Sequence, residues 1–190
     1  MQTFHDKVIA WTRIFRTKKL ANIAKKVAKL GITANQVTFL SLIAGVTSIY
    51  FLYNQYWYFV IFGLLHLFLD SIDGVLARAT KPTTKGKYFD LGIDNTIALL
   101  ILIKTGIFLK TPLIFLIAVM FTITIIIHLI SKLQAPVIFI RTGILFGIML
   151  ASHPLFPYLE NVLIIGYYIV ALISIYIFIK QIYWYFEQKK

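Results

Sequence analysis

Six long apolar stretches follow one another along this chain, separated by short polar breaks. A helix needs about 20 apolar residues to cross the hydrocarbon core of a bilayer. By that measure, spans are expected at about Gln36–Tyr53, Trp57–Arg78, Tyr88–Leu109, Thr111–Leu133, Val137–Ala151 and Leu159–Ile179, the fifth being short. The breaks carry turn formers: Asn54-Gln55, Pro82, Pro112, Pro136, His153-Pro154 and Phe156-Pro157. Before the first span the pattern changes. Val8, Ile9, Phe15, Leu20, Ile23, Val27 and Leu30 are interleaved with lysines and arginines. That reads as an amphipathic helix lying in the headgroup plane, apolar face down. The plainer alternative is a basic juxtamembrane tail. The expected fold is an all-α integral membrane protein with six transmembrane helices preceded by an interfacial helix. Its divisions are a basic segment at 1–34, a transmembrane domain at 35–181 and a basic tail at 182–190. Internal repeats and low-complexity tracts are absent from the sequence.

Composition agrees. Hydrophobic residues make up 59% of the 190 and the mean hydropathy is +0.83. The usual apolar share is about 45–50%, and a soluble domain of this length cannot hide the excess. The length suits one compact bundle. There is no cysteine, which excludes disulfides and thiolate metal sites. The basic N-terminus does not read as a cleaved signal peptide.

The net charge of +12 would fit a nucleic-acid binder, but its placement fits a membrane. Lys7, Arg13, Arg16, Lys18, Lys19, Lys25, Lys26 and Lys29 precede the first span. Arg78, Lys81, Lys85 and Lys87 surround one turn, and Lys180, Lys189 and Lys190 lie near the C-terminus. An N-in, C-in topology puts all of these on the cytoplasmic side, as the positive-inside rule asks. Lys110, and to a lesser degree Lys104, fall toward the other face. Tyr50, Tyr53, Tyr56, Trp57 and Tyr58 at one interface, and Tyr183, Trp184 and Tyr185 at the other, fit aromatic belts. Anionic headgroups account for the basic surface, so the expected partner is membrane lipid and not nucleic acid.

The acidic residues carry the chemistry. There are seven, and four of them, Asp70, Asp73, Asp90 and Asp94, fall within 25 residues. A carboxylate at mid-membrane costs about 2.5–3.5 kcal/mol on insertion scales, and such residues mark function by default. Spacings of three and four put each pair on one helix face. The short basic turn between them makes the second and third spans antiparallel neighbours, so the two pairs face each other. Converging carboxylates repel unless cations neutralise them, and all-oxygen ligands favour Mg²⁺ or Mn²⁺. Gly74, Ala77 and Gly86 lie among the acids. Small residues allow close helix packing, and here they also leave space for a flat ligand. Arg78 suits a phosphate. Together these suggest metal-assisted phosphoryl chemistry on a lipid-borne substrate.

Read in order, the segment is Asp70-Ser-Ile-Asp73-Gly74-Val-Leu-Ala77-Arg78, seven residues, then Gly86-Lys-Tyr-Phe-Asp90-Leu-Gly-Ile-Asp94. It resembles the signature of the CDP-alcohol phosphotransferases, D-x-x-D-G-x-x-A-R followed by G-x-x-x-D-x-x-x-D, with all eight fixed positions present. The spacer is one residue shorter than in many members. Thr33-Ala34-Asn35-Gln36-Val37-Thr38 is similar to the family's T-P-N-x-V-T entry, with Ala34 in place of proline; the alternative is a helix N-cap at Thr33 or Asn35.

The resemblance implies that an alcohol attacks the β-phosphorus of a CDP-linked lipid, CDP-diacylglycerol or CDP-archaeol, and that CMP leaves. It implies that Asp70, Asp73 and Asp90 hold metal and the diphosphate. Asp94 shares a metal in a two-metal site and acts as general base. Gly74, Ala77 and Gly86 line the cytidine site and Arg78 supports it. Asn35 and Thr38 are further contacts. A homodimer is common in the family.

The acceptor is less legible. Leu91 and Asn95 stand where members that make phosphatidylglycerophosphate often carry proline and lysine. Members that use inositol phosphate carry extra basic residues on the fourth and fifth spans, for which Lys132 and Arg141 are the candidates. Lys132 reads equally as a snorkelling anchor. Arg141, inside a short apolar span, calls for an anionic ligand, and His128 reads as a packed polar residue. Two other classes compete: a divalent-cation transporter using the same aspartates, and an inactive scaffold. The first lacks the broken helices and inverted repeats of transporters, and the intact acids argue against the second.

Overall fold

The computed structural model describes residues 4–80, 82–138, 141–155 and 157–188, excluding the side chains of 4–10 and 13. Lys81, Lys189 and Lys190, and the side chains of Lys7, Val8, Ile9 and Arg13, therefore lie outside the described residues. The described residues form seven helices and no strand: α1 (Phe4–Lys29), α2 (Ala34–Phe51), α3 (Tyr56–Ala79), α4 (Thr84–Leu109), α5 (Leu113–Ile130), α6 (Arg141–Ala151) and α7 (Leu159–Glu187). Of these, α2, α3, α4, α5 and α7 are long and apolar enough to cross a membrane. Several such helices make this a multi-pass membrane protein.

The expected fifth span is shorter than the hydropathy pattern implied. Val137 and Ile138 are outside the helix, and α6 has 11 residues. That is a rise of about 16 Å, against roughly 30 Å of hydrocarbon. Local bonds explain the shortening. Lys132 and Leu133, at φ 56° and 65°, end α5 in the left-handed region, and Leu133 N donates to His128 O at 2.9 Å. His128, buried, donates from Nδ1 to Ala135 O at 2.6 Å. Ala135 N donates to Ser131 Oγ at 2.9 Å, and Gln181 Nε2 donates to Pro136 O at 3.0 Å. The backbone at Leu133, Ala135 and Pro136 is thus bonded without helix, and Pro136 has no N–H to offer one. At the other end of the chain α7 runs on to Glu187, past the expected Ile179.

Two compact units are formed: Met1–Gly45 with Leu64–Ile93, and Val46–Gly63 with Asp94–Lys190. The first is organised on an apolar cluster of Ala24, Val37, Ile72, Val75 and Leu76, with Leu20 and Val27 of α1 packed against it. Trp11, Ile14 and Phe15 of α1 remain exposed. Gly31, at φ 74°, stops α1 in a left-handed turn that suits glycine. Thr33 then caps α2. Thr33 N donates to Gln36 Oε1 at 2.8 Å and Gln36 N donates to Thr33 Oγ1 at 3.4 Å, a reciprocal capping box. Of the two caps the sequence allowed, Thr33 is the one used.

The second unit centres on Ala98, Leu102, Ile114, Phe121, Tyr167 and Val170. In both units polar groups turn inward to backbone carbonyls, which lipid cannot satisfy. Ser41 Oγ donates to His66 O at 3.2 Å in the first, and Tyr167 Oη donates to Leu102 O at 3.0 Å in the second. Lys104 is a further case. Its Nζ donates to Ile49 O at 2.6 Å and Tyr50 O at 2.7 Å, the last turn of α2. An ammonium there satisfies orphan carbonyls and faces the negative end of the helix dipole. Charged hydrogen bonds contribute about 1.5–3 kcal/mol each. Lys104→Met is therefore expected to lower the thermal unfolding midpoint of the detergent-solubilised protein measurably, and an unchanged midpoint would remove this role.

Candidate active site

The first unit holds Asp70, Asp73 and Asp90. Thr83 caps α4, with Gly86 N donating to its Oγ1 at 3.0 Å. That cap starts the helix nearly two turns before Asp90, and it places Gly86 on α4 next to α2. A Cβ built on Gly86 would lie 3.0 Å from Thr83 Oγ1 and 3.1 Å from Asn35 Oδ1, so the approach is close enough to favour glycine. Asn35 thus comes to the motif itself, and a groove of about 550 Å³ opens beside it, lined in part by Phe39 and Phe89.

Asp70 and Asp73 are three residues apart on α3, with Asp73 buried and Asp70 half-buried. Asp70 and Asp90 each offer a carboxylate oxygen, and the two lie within 4.8 Å of each other. Asp73 feels the charge of both and has the Thr38 hydroxyl beside it. Its Oδ2 is buried without a hydrogen-bond partner. A cluster of carboxylates with a buried, unbonded oxygen fits a divalent cation, which would balance the charge. Gly74 and Ala77 are half-buried on the same helix. A Cβ on Gly74 would stand 3.5 Å from Arg78 Nη1, so the guanidinium folds back along α3 beside Gly74. Its Nη2 donates to Thr17 Oγ1 at 3.3 Å. The α1 contact through Thr17 has no signature in the sequence.

Asp94 follows Asp90 by one turn of the same helix, on the same face, and opens the second unit. There it meets Arg141, the first residue of α6, at 2.5 Å from Nη1 to Oδ1. The Arg141 side chain is 8% exposed and that of Asp94 21%. The anionic partner that Arg141 called for is thus a residue of this chain. Lys132 is exposed in the turn after α5.

Carboxylates that converge on α3 and α4, two helices long and apolar enough to cross a membrane, set this chain apart from an ordinary apolar bundle. The family model for CDP-alcohol phosphatidyltransferase matches residues 31–185, and the chain belongs to that family. Among curated proteins it is similar to the archaetidylinositol phosphate synthase of Pyrococcus horikoshii, 39% identical over 79 residues, which is 40% of this chain and 42% of that relative. The match thus spans less than half the length of either.

Proposed function

We propose that this protein transfers the phosphatidyl-type group of a CDP-linked lipid to a polar alcohol and releases CMP, in phospholipid synthesis. The observation that carries the reading is the complete aspartate motif of the family on α3 and α4, with the Asp70 and Asp90 carboxylates brought together. The relative's name points to CDP-archaeol as donor and inositol phosphate as acceptor, and both are taken here as the working substrates. In this reading residues 1–34 form the interfacial helix and 35–181 the catalytic domain. Six helices, α6 among them, sit in the membrane with both termini and the site on the cytoplasmic side.

Asp70, Asp73, Asp90 and Asp94 would hold Mg²⁺ or Mn²⁺ at a two-metal site. A bound ion supplies positive charge against the phosphate oxygens as the leaving group departs. The chain's own residues do the rest. Gly74, Ala77 and Gly86 leave room for the cytidine, and Arg78 meets its phosphates. Asn35 and Thr38 border the donor. Asp94 accepts the hydroxyl proton as the acceptor oxygen forms its bond to the β-phosphorus. The bond from that phosphorus to the oxygen bridging the diphosphate breaks, and CMP carries the electron pair away. In this reading Arg141, beside its pairing with Asp94, and Lys132 would meet an anionic acceptor.

The test is direct. Purified protein with CDP-archaeol or CDP-diacylglycerol, Mg²⁺ or Mn²⁺ and a panel of alcohols should release CMP, fastest with inositol phosphate. No CMP with any donor and alcohol would overturn the reading. CMP with a different alcohol would overturn the acceptor alone.

A further inference from the structure

In the first unit Ser41 of α2 meets His66 of α3, the two side chains sealed at 1% and 0% exposure. His66 Nδ1 lies 2.9 Å from Ser41 O and 2.8 Å from Ser41 Oγ. A carbonyl oxygen only accepts, so Nδ1 carries a proton and donates it. Ser41 Oγ in turn donates to His66 O at 3.2 Å. Each helix thus bonds the backbone of the other with a side chain. A slip of one residue moves a helix about 1.5 Å along its axis and turns the face away, which breaks both bonds. Apolar packing does not choose the register so sharply. Val37 of α2 packs with Ile72, Val75 and Leu76 of α3, but lipid tails are as apolar as these side chains, and interhelical hydrogen bonds are the directed contacts that remain.

Position gives the pair its consequence. His66 stands one turn before Asp70 on α3 and on the same face, with Asp73 further along it. Ser41 stands three residues after Thr38 on one face of α2. The Thr38 hydroxyl lies beside Asp73, whose Oδ2 is buried without a hydrogen-bond partner. Thr38 Oγ1 also donates to Ala34 O at 2.9 Å, so its oxygen is fixed to the first turn of α2. Where α2 sits along α3 therefore decides how that hydroxyl meets Asp73. Asn35, on the same turn, stands against Gly86 of α4, so the register of α2 bears on both halves of the aspartate motif.

We propose that Ser41 and His66 are positioning residues for the aspartate site: by locking α2 to α3 they hold Thr38 against Asp73 and set the arrangement in which the carboxylates take a divalent cation. The assignment rests on the metal site proposed above. Mn²⁺ affinity of the folded, detergent-solubilised protein, read by electron paramagnetic resonance, tests it. His66→Leu is expected to weaken Mn²⁺ binding by about 10–100-fold, the range for losing an outer partner of a metal site. Two amides then separate the ring nitrogens. Asparagine places an N–H where Nδ1 stands and glutamine places one where Nε2 stands. His66→Asn should return the affinity to within a few-fold of the wild type, and His66→Gln should stay near the leucine variant. Equal affinity in the two amide variants would overturn the proposal. So would an unchanged affinity in His66→Leu with a lowered unfolding midpoint, which would leave the pair a fastening and nothing more. The wild type gives a second reading that needs no folded leucine variant. In a ¹⁵N-histidine spectrum the signal that disappears in His66→Asn should carry its proton on Nδ1, and a proton on Nε2 alone would count against the pairing. A wild type that binds no Mn²⁺ would sink this role together with the metal site. If Mn²⁺ binds and the variants fall in the expected order while no CMP is released, the enzyme reading fails and the positioning role stands.

Discussion

Asp94→Asn is expected to cut CMP release by about 10²–10⁴-fold, the range for loss of a positioned general base, while affinity for CDP stays within a few-fold of the wild type. Asparagine keeps the shape of the side chain and an acceptor oxygen for Arg141, but it cannot take the proton of the attacking hydroxyl. Asp94 also lies one turn beyond Asp90, away from the residues given to cytidine. The same change at Asp70 or Asp90, whose carboxylates converge, should instead weaken CDP binding. Rate under saturating substrates and CDP affinity by calorimetry separate the two. Near-wild-type turnover in Asp94→Asn would take the carboxylate out of proton transfer.

That Asp70 and Asp73 share one helix face and Asp90 and Asp94 another was legible because the motif is local. Residues 70–94 cover two helices and one turn, and spacings of three and four fix which side chains share a face. The structure adds distances to a pattern already present. Longer-range partners left weaker traces. Arg141 is costly in an apolar run, which signals that an anion must meet it, but nothing in the letters says that the anion is Asp94, 47 positions earlier. Lys104 was legible only as a charge on the wrong side of the membrane, and its two carbonyl partners on α2 explain it.

Hydropathy misjudged α6 for a different reason. It counts Val137 and Ile138 as helix formers and cannot register the bonds from His128, Ser131 and Gln181 that satisfy the chain around Ala135 and Pro136. Glycines 143, 147 and 166 show the same limit. In an apolar helix that letter usually means close packing, and only the backbone around it shows that these three border open space.

Arg141→Met is expected to be the most destabilising single change at the site. Its guanidinium and the Asp94 carboxylate pair at 2.5 Å with little exposure on either side chain. Removing one member of such a pair costs about 3–5 kcal/mol, mostly because the other charge is left buried and unmatched. The cost should therefore depend on Asp94. In Asp94→Asn/Arg141→Met the orphan charge is gone, and the double variant is expected to unfold at a higher temperature than Arg141→Met alone. Arg141→Lys keeps the charge but loses the planar fork, and it should fall between wild type and methionine. Thermal unfolding of the four members of the cycle in one detergent gives the coupling. Strict additivity would mean that the pair does not hold α6 to α4. The kinetic side reads differently: if Arg141 also meets the acceptor's phosphate, Arg141→Lys should raise the acceptor KM and leave the donor KM near its original value. A shift in both together would assign Arg141 to the architecture of the site alone.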